Sequence, residues 1–463
     1  MLWQIVSILD IILFIMVLIT VVYLSVFAIA SLFYSKFEAP ATRKTARILI
    51  LIPCYRADDI YQLTLDAIAA QDYDPRAIDI MVVSAGNKPI TNMKLAQYNL
   101  TMCIMPEDEY TDVRAWQFGM DHCAPLRLYD IVLIIEAGET MQPTYLTDIN
   151  EAFQLGSKAI QTHRTYPHRT TPKEMLTATF EEINSSIFRM GHVALGLSSG
   201  LLGSGMAFEH KWFRDNIGLL TADSDLKAFE AMVLAAGRYV DYLDDTHFVG
   251  KPQKAAGGLP VIDRSKWMYA QWHALRTHVK DLPRAILQGN PDLFDKVFQW
   301  ILMPRVVMMS IIALMCVITP LFWWSMTLKW LVMGFWVMLV FAIATPDYLI
   351  NREWEKAFIY APLLMVKALF DALPSGWALA FTRSHKDEWI DDLRQGSEML
   401  MEQGEKLKEQ GAKLKEQGAK LKAQGGKLGE RSGFFSRLSR IAGGRRRDNT
   451  TDSREEEAHP WPT

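Results

Sequence analysis

Two groups of residues in this chain have types and spacing suited to chemistry. The first is Gly196–Leu226, where the glycine-rich run Gly203-Ser204-Gly205 is followed by two acids, Asp223 and Asp225. Glycine lacks a Cβ and tolerates positive φ, so such a run lets backbone approach a bulky ligand. A carboxylate in the same cleft can take the proton of a ligand hydroxyl. The second group lies at the ends of three apolar runs: Pro53–Arg56, Ser84–Asn87 and Glu136–Glu139. Each residue also has a plainer role. Asp223 suits a helix N-cap ahead of LKAFEAM, Gly203 and Gly205 suit a turn, and Glu136 and Glu139 suit a solvated loop. Arg164 and Arg169 suit either a phosphate or solvent. His163, His168 and His192 show no metal-ligand spacing and read as surface or core histidines.

The elements that would position these groups follow from hydrophobic pattern. Ile48–Tyr55, Ile78–Gly86 and Asp130–Gly138 are short apolar runs of the kind buried on both faces of a parallel sheet. Helical spacing over Asp58–Ala70 and near Val113–Cys123 alternates with them, which predicts a right-handed βαβ sheet. Ligands of such sheets bind at the carboxyl ends of the strands, where Pro53, Tyr55, Ser84, Glu136 and Glu139 fall.

Around this α/β region lie hydrophobic segments. Leu2–Phe33 is apolar apart from Gln4 and Asp10 and exceeds the ~20 residues that span a bilayer. Lys36, Arg43, Lys44 and Arg47 follow it, which places the N-terminus outside and the next residues in the cytoplasm. Val306–Trp324 and Leu328–Thr345 have the length of a helical hairpin. Ala357–Phe381 contains Lys367, Asp371, Pro362 and Pro374 and is read as interfacial or re-entrant. From Gly404 a heptad recurs with Leu407, Leu414 and Leu421 in register, but glycine and glutamine take the second apolar position. This fits a solvated basic spacer better than a coiled coil, with self-association as the other reading. The predicted organisation is an anchor at 1–35, a cytoplasmic domain at 46–290, a membrane region at 296–381 and a low-complexity tail at 394–463.

Composition narrows the function. A net charge of −3 gives no case for nucleic acid, and the four cysteines have the scatter of reduced thiols. Few polar residues fall in the apolar runs, which argues against a channel.

In order and spacing, residues 46–390 resemble the processive, membrane-bound family-2 glycosyltransferases that include cellulose, hyaluronan and poly-N-acetylglucosamine synthases. ILILIPCYRADD is similar to their first strand and loop, IVLIIEAGETMQPTYL to the strand ending in Asp-x-Asp, and LGLSSGLLGSGMAF to an acceptor-side loop. LTADSDLKAFEAM is similar to their Thr-Glu-Asp segment. DRSKW (Asp263–Trp267) stands where the family has Gln-x-x-Arg-Trp, and FTRSHK follows the membrane helices. The resemblance implies a GT-A fold that binds a nucleotide-sugar donor on the cytoplasmic face of the inner membrane. It also implies a glycan or lipid-linked acceptor, inversion at the anomeric carbon, and Mg²⁺ or Mn²⁺ on the diphosphate. By position, Asp223 is the implied base and Glu136, with Glu139 beside it, the implied metal ligands. Pro53, Tyr55, Ser84, Gly203, Ser204, Gly205, Asp225, Lys266 and Trp267 are the implied substrate contacts. The departures are specific: Gly138 replaces the second aspartate of Asp-x-Asp, Ala222 the glutamate of Thr-Glu-Asp, Asp263 the glutamine and Lys266 the arginine. They also raise a second reading, a degenerate subunit that binds or assembles without turnover.

Overall fold

The computed structural model describes residues 2–36, 44–58, 60–123, 129–166, 172–221, 224–250, 271, 273–322 and 324–349. Residues 1–382 form one unit, and the description concerns that unit. Asp223, Lys266, Trp267, His168, Arg169, the Ala357–Phe381 run and the heptad tail lie outside the described residues.

The strands are β1 (Ile48–Tyr55), β2 (Ile78–Ala85), β3 (Thr101–Ile104), β4 (Ile131–Ile134), β5 (Thr140–Met141), β6 (Ala159–Thr165), β7 (Met206–Glu209) and β8 (Asp241–Val249). They form one sheet in the order β3-β2-β1-β4-β7-β6-β8-β5. β1 pairs parallel with β2 and β4, as the apolar runs predict, and β2 pairs parallel with β3, which no apolar run announced. β7 is antiparallel to both β4 and β6. The fold is therefore mixed α/β with a mostly parallel sheet that resembles the GT-A fold.

Alternation along β1 builds both faces of the core. Ile48, Ile50 and Ile52 pack with the helices Tyr61–Ala69 and Tyr145–Gln154. Leu49 and Leu51 pack with Asp112–Asp121, His210–Ile217 and Leu226–Ala235. Burial on both faces is why β1 and β4 contain almost no polar residue.

The N-terminal helix, Leu2–Ser31, packs against Arg305–Phe322 and Trp324–Ala344 in a separate apolar cluster. Two segments, Val6–Ser31 and Met326–Ala344, are long and apolar enough to cross a membrane. Asp10, the one acid in the first, pairs with Lys329 and accepts a hydrogen bond from Trp330 Nε1 at 2.9 Å. A charge among apolar helices is tolerated when so partnered.

Candidate active site

Because β1 and β4 run side by side, their carboxyl ends place Tyr55 and Glu136 at one edge of the sheet. Pro53 contributes its carbonyl, which accepts the Ala137 N–H at 3.1 Å and fixes the turn that carries Glu136. Beyond it, Arg56 adopts φ +46° and pairs with Glu107. Tyr55 stacks on Tyr110, ring centroids 4.3 Å apart and 13° from parallel. Burial, with Asp112 and Glu136 nearby, pushes the Tyr110 phenol well up.

β7 enters the sheet antiparallel to β4, so the glycine run that precedes it reaches the same edge. Gly205 donates its N–H to the Ile134 carbonyl at 2.9 Å. Ser204 is fully buried; its hydroxyl donates to Glu139 and accepts the Glu136 N–H at 3.1 Å. Gly203 and Gly205 have φ +87° and +64°. The first faces Leu226, which a Cβ on Gly203 would approach to 3.5 Å, so the start of the helix Leu226–Ala235 lies against this loop.

Asp225 is the N-cap of Leu226–Ala235 and accepts the Ala228 N–H at 3.0 Å. The plainer alternative for Asp223, capping this helix, thus falls to Asp225. The proposed base role for Asp223 remains outside the described residues. Ser84 is 1% exposed, donates to Asn92 Oδ1 at 2.6 Å and accepts from Asn87 Nδ2 at 2.9 Å. Its hydroxyl fastens the β2 loop to the helix Pro89–Leu95.

The metal expectation meets a clear geometric test. Gly138 has φ +96°, and a Cβ there would lie 2.5 Å from Ile60 Cδ1. No side chain fits at the second Asp-x-Asp position. Glu139 is 2% exposed and points inward, accepting from Ser204 and from the Glu136 N–H at 3.1 Å. Arg164 Nη2 lies 3.5 Å from its other oxygen. Burial pushes the Glu139 carboxyl up to about 7, with Arg164 opposing and Glu136 adding to the rise. Among the described residues no three His, Cys, Asp or Glu side chains gather to hold a metal. These residues do not fit the two-carboxylate site that the resemblance implies. Glu136 is the only one of the pair at the rim.

Sequence pattern gave no signal for Thr64 or Tyr110. Thr64 Oγ1 accepts the Gly138 N–H at 2.8 Å and donates to the Glu139 carbonyl at 2.7 Å. Of the histidines, His163 is a buried, ion-paired group. Its Nδ1 lies 2.8 Å from Asp244 and its Nε2 3.1 Å from Glu182, with the Tyr242 hydroxyl and His247 ring alongside. Burial disfavours its charged form most strongly, but hydrogen bonds to Asp244 and Glu182 outweigh it and raise the group to about 9. A folded-state value above the ordinary 6.5 gives stability that is complete below that pH and lost as pH rises through about 9. We expect the thermal midpoint to fall across this window by an amount reflecting on the order of 3 kcal/mol, and His163→Gln to flatten the profile. An unchanged midpoint from pH 6.5 to 9.5 would contradict the assignment.

The family described as Glycosyltransferase like family 2 matches residues 46–230. No curated protein matches the sequence. A solved mannosyltransferase of Pyrobaculum calidifontis, in complex with GDP-Man and Mn²⁺, is 15% identical over 72% of this chain and 96% of its own, with TM-score 0.44. S. aureus TarS 1–349 is 11% identical over 73% and 93%, TM-score 0.39. Its complex with UDP-GlcNAc is 12% identical over 72% and 91%, TM-score 0.38. With all three scores below 0.5, these likenesses carry no argument, and the family match covers less than half of the chain. Over residues 46–230 the chain is similar to the domain described as Glycosyltransferase like family 2.

Proposed function

We propose that this protein is a membrane-bound, inverting glycosyltransferase of the cytoplasmic face. It moves a sugar from a nucleotide-diphosphate donor to a glycan or lipid-linked acceptor. The observation that carries this reading is the meeting, at one sheet edge, of Tyr55, Glu136 and the Gly203–Gly205 loop, with the start of helix Leu226–Ala235 against that loop. The apolar segments Val6–Ser31 and Met326–Ala344 support the membrane placement, and the basic residues after Ser35 support a cytoplasmic domain.

In this scheme the donor lies over the strand ends. Asp223 removes the proton from the acceptor hydroxyl as its oxygen attacks the anomeric carbon. The bond from that carbon to the diphosphate breaks, and the nucleoside diphosphate departs with the electron pair. Lys266 and Trp267 keep their proposed places beside the diphosphate and the acceptor sugar. Mg²⁺ or Mn²⁺ would find one rim carboxylate, Glu136, so no step is routed through a metal.

The degenerate reading draws on the same observation of Gly138 and the inward Glu139. Calorimetry with a panel of nucleotide sugars separates the two: one donor binds and nucleoside diphosphate is released over time, and Glu136→Gln weakens binding about tenfold by removing a charge-assisted hydrogen bond from a donor hydroxyl. Binding without release would support the degenerate subunit. No binding of any donor by folded protein would remove the transferase reading and leave a degenerate subunit that assembles without turnover.

A further inference from the structure

Three arginines from three different elements gather around the carboxylate Glu181, and one of them, Arg164, also reaches Glu139. Arg189, on the π-helical turn Ser186–Met190, comes within 3.2 Å of Glu181 Oε1 and donates to Ser185 Oγ at 2.7 Å. Arg305 opens the helix Arg305–Phe322, donates to Asn184 Oδ1 and sets its guanidinium 5.0 Å from the Phe188 ring. Arg164 reaches in from β6 with Nη2 3.5 Å from Glu139 Oε1, and Glu181 is among the charges that act on it.

The cluster is incompletely satisfied. Arg164 Nε, Arg189 Nε and Arg305 Nη1 are buried with no hydrogen-bond partner among the described residues. Arg189 is 5% exposed. Native interiors rarely leave such donors unmatched, and guanidinium forks match phosphate oxygens. Glu181 and Glu139 are the carboxylates that pair with members of the cluster. Burial also holds Arg305 below its ordinary value, with Glu181 opposing and Arg189 adding to the shift.

Position tells which kind of anion would arrive. Ile187 and Phe188, beside Arg189, pack in the same cluster as Phe27 of the N-terminal helix and Met308 of Arg305–Phe322. Immediately after Arg305 begins the apolar stretch Val307–Leu321. The orphan donors therefore lie where the catalytic edge meets the membrane helices.

We propose that Arg164, Arg189 and Arg305 form a binding site for the phosphate group of a membrane lipid, held next to Glu139. This rests on the membrane-bound reading above and deepens its lipid-linked acceptor: the anchor's phosphate is gripped here and the acceptor end is presented to the sheet edge.

The test uses the full chain in phosphatidylcholine nanodiscs titrated with phosphatidic acid, read by thermal midpoint. Wild type should rise with phosphatidic acid. Arg305→Gln should require about tenfold more for the same rise, and Glu181→Gln, which removes a competing anion, about tenfold less. Because the two substitutions act in opposite directions, a folding defect cannot imitate both. If neither shifts the titration, or wild type does not respond, the site is refuted. If inorganic phosphate reproduces the effect with no preference for lipid, the lipid assignment falls. Nucleotide-sugar calorimetry on the same samples keeps the two ideas apart. Donor binding without a lipid response sinks this site alone, whereas a lipid response without donor binding sinks the transferase reading.

Discussion

Gly205→Ala will unfold this domain more readily than any other single methyl added at the site. The added Cβ would sit 2.2 Å from Phe248 Cε1 and 2.7 Å from Thr162 Oγ1, and both neighbours are buried. Neither can move freely, since Thr162 is held by Tyr145 at 2.7 Å and Phe248 lies in the core under Arg164. The backbone at φ +64° adds its own strain for any residue with a Cβ. Strain and overpacking together should cost about 3 kcal/mol or more, a fall in thermal midpoint of roughly 10 °C for a domain of this size. Because the Gly205 N–H holds the loop to Ile134, the shift would also move Ser204 off Glu139, and activity should drop along with stability. Gly218→Ala is the matched control: nothing lies within 4 Å of its added Cβ, and its φ of −69° suits alanine. Equal midpoints for the two variants would mean that the loop is not packed as described.

That contrast bears on what the sequence made legible. β1, β2 and β4 were readable because burial on both faces leaves an uninterrupted apolar run, and their carboxyl ends followed from topology. The helix predicted over Asp58–Ala70 forms at Tyr61–Ala69, and the one near Val113–Cys123 forms at Asp112–Asp121. β5 and β7 carried no such signal. They hold two and four residues, too few to show a period, and are fixed by partners far along the chain. The inward turn of Glu139 was equally hidden. It depends on Ser204, sixty-five residues away, and on Arg164 from a third strand. Long-range polar pairs leave no local periodicity. The same applies to the arginine cluster, whose members are separated by stretches that read as ordinary helix and loop.

Asp223→Asn will leave donor binding intact and remove turnover, with kcat lower by about 10²–10⁴-fold. The plainer explanation for this aspartate was helix capping, and that position is filled: Asp225 has the extended backbone of a cap and accepts the Ala228 N–H. With the cap taken by Asp225, proton transfer is the role the proposal gives Asp223. Asparagine keeps the size of the side chain and removes its basicity, so a proton-transfer role predicts loss in kcat with little change in donor affinity. Asp225→Asn makes the complementary case. Asparagine caps helices about as well as aspartate, so that variant should keep both its fold and most of its activity. If the two substitutions instead gave the same modest decline, or if Asp223→Asn lost donor binding together with stability, the carboxylate at 223 would be holding structure, and the base would have to be sought elsewhere on the rim.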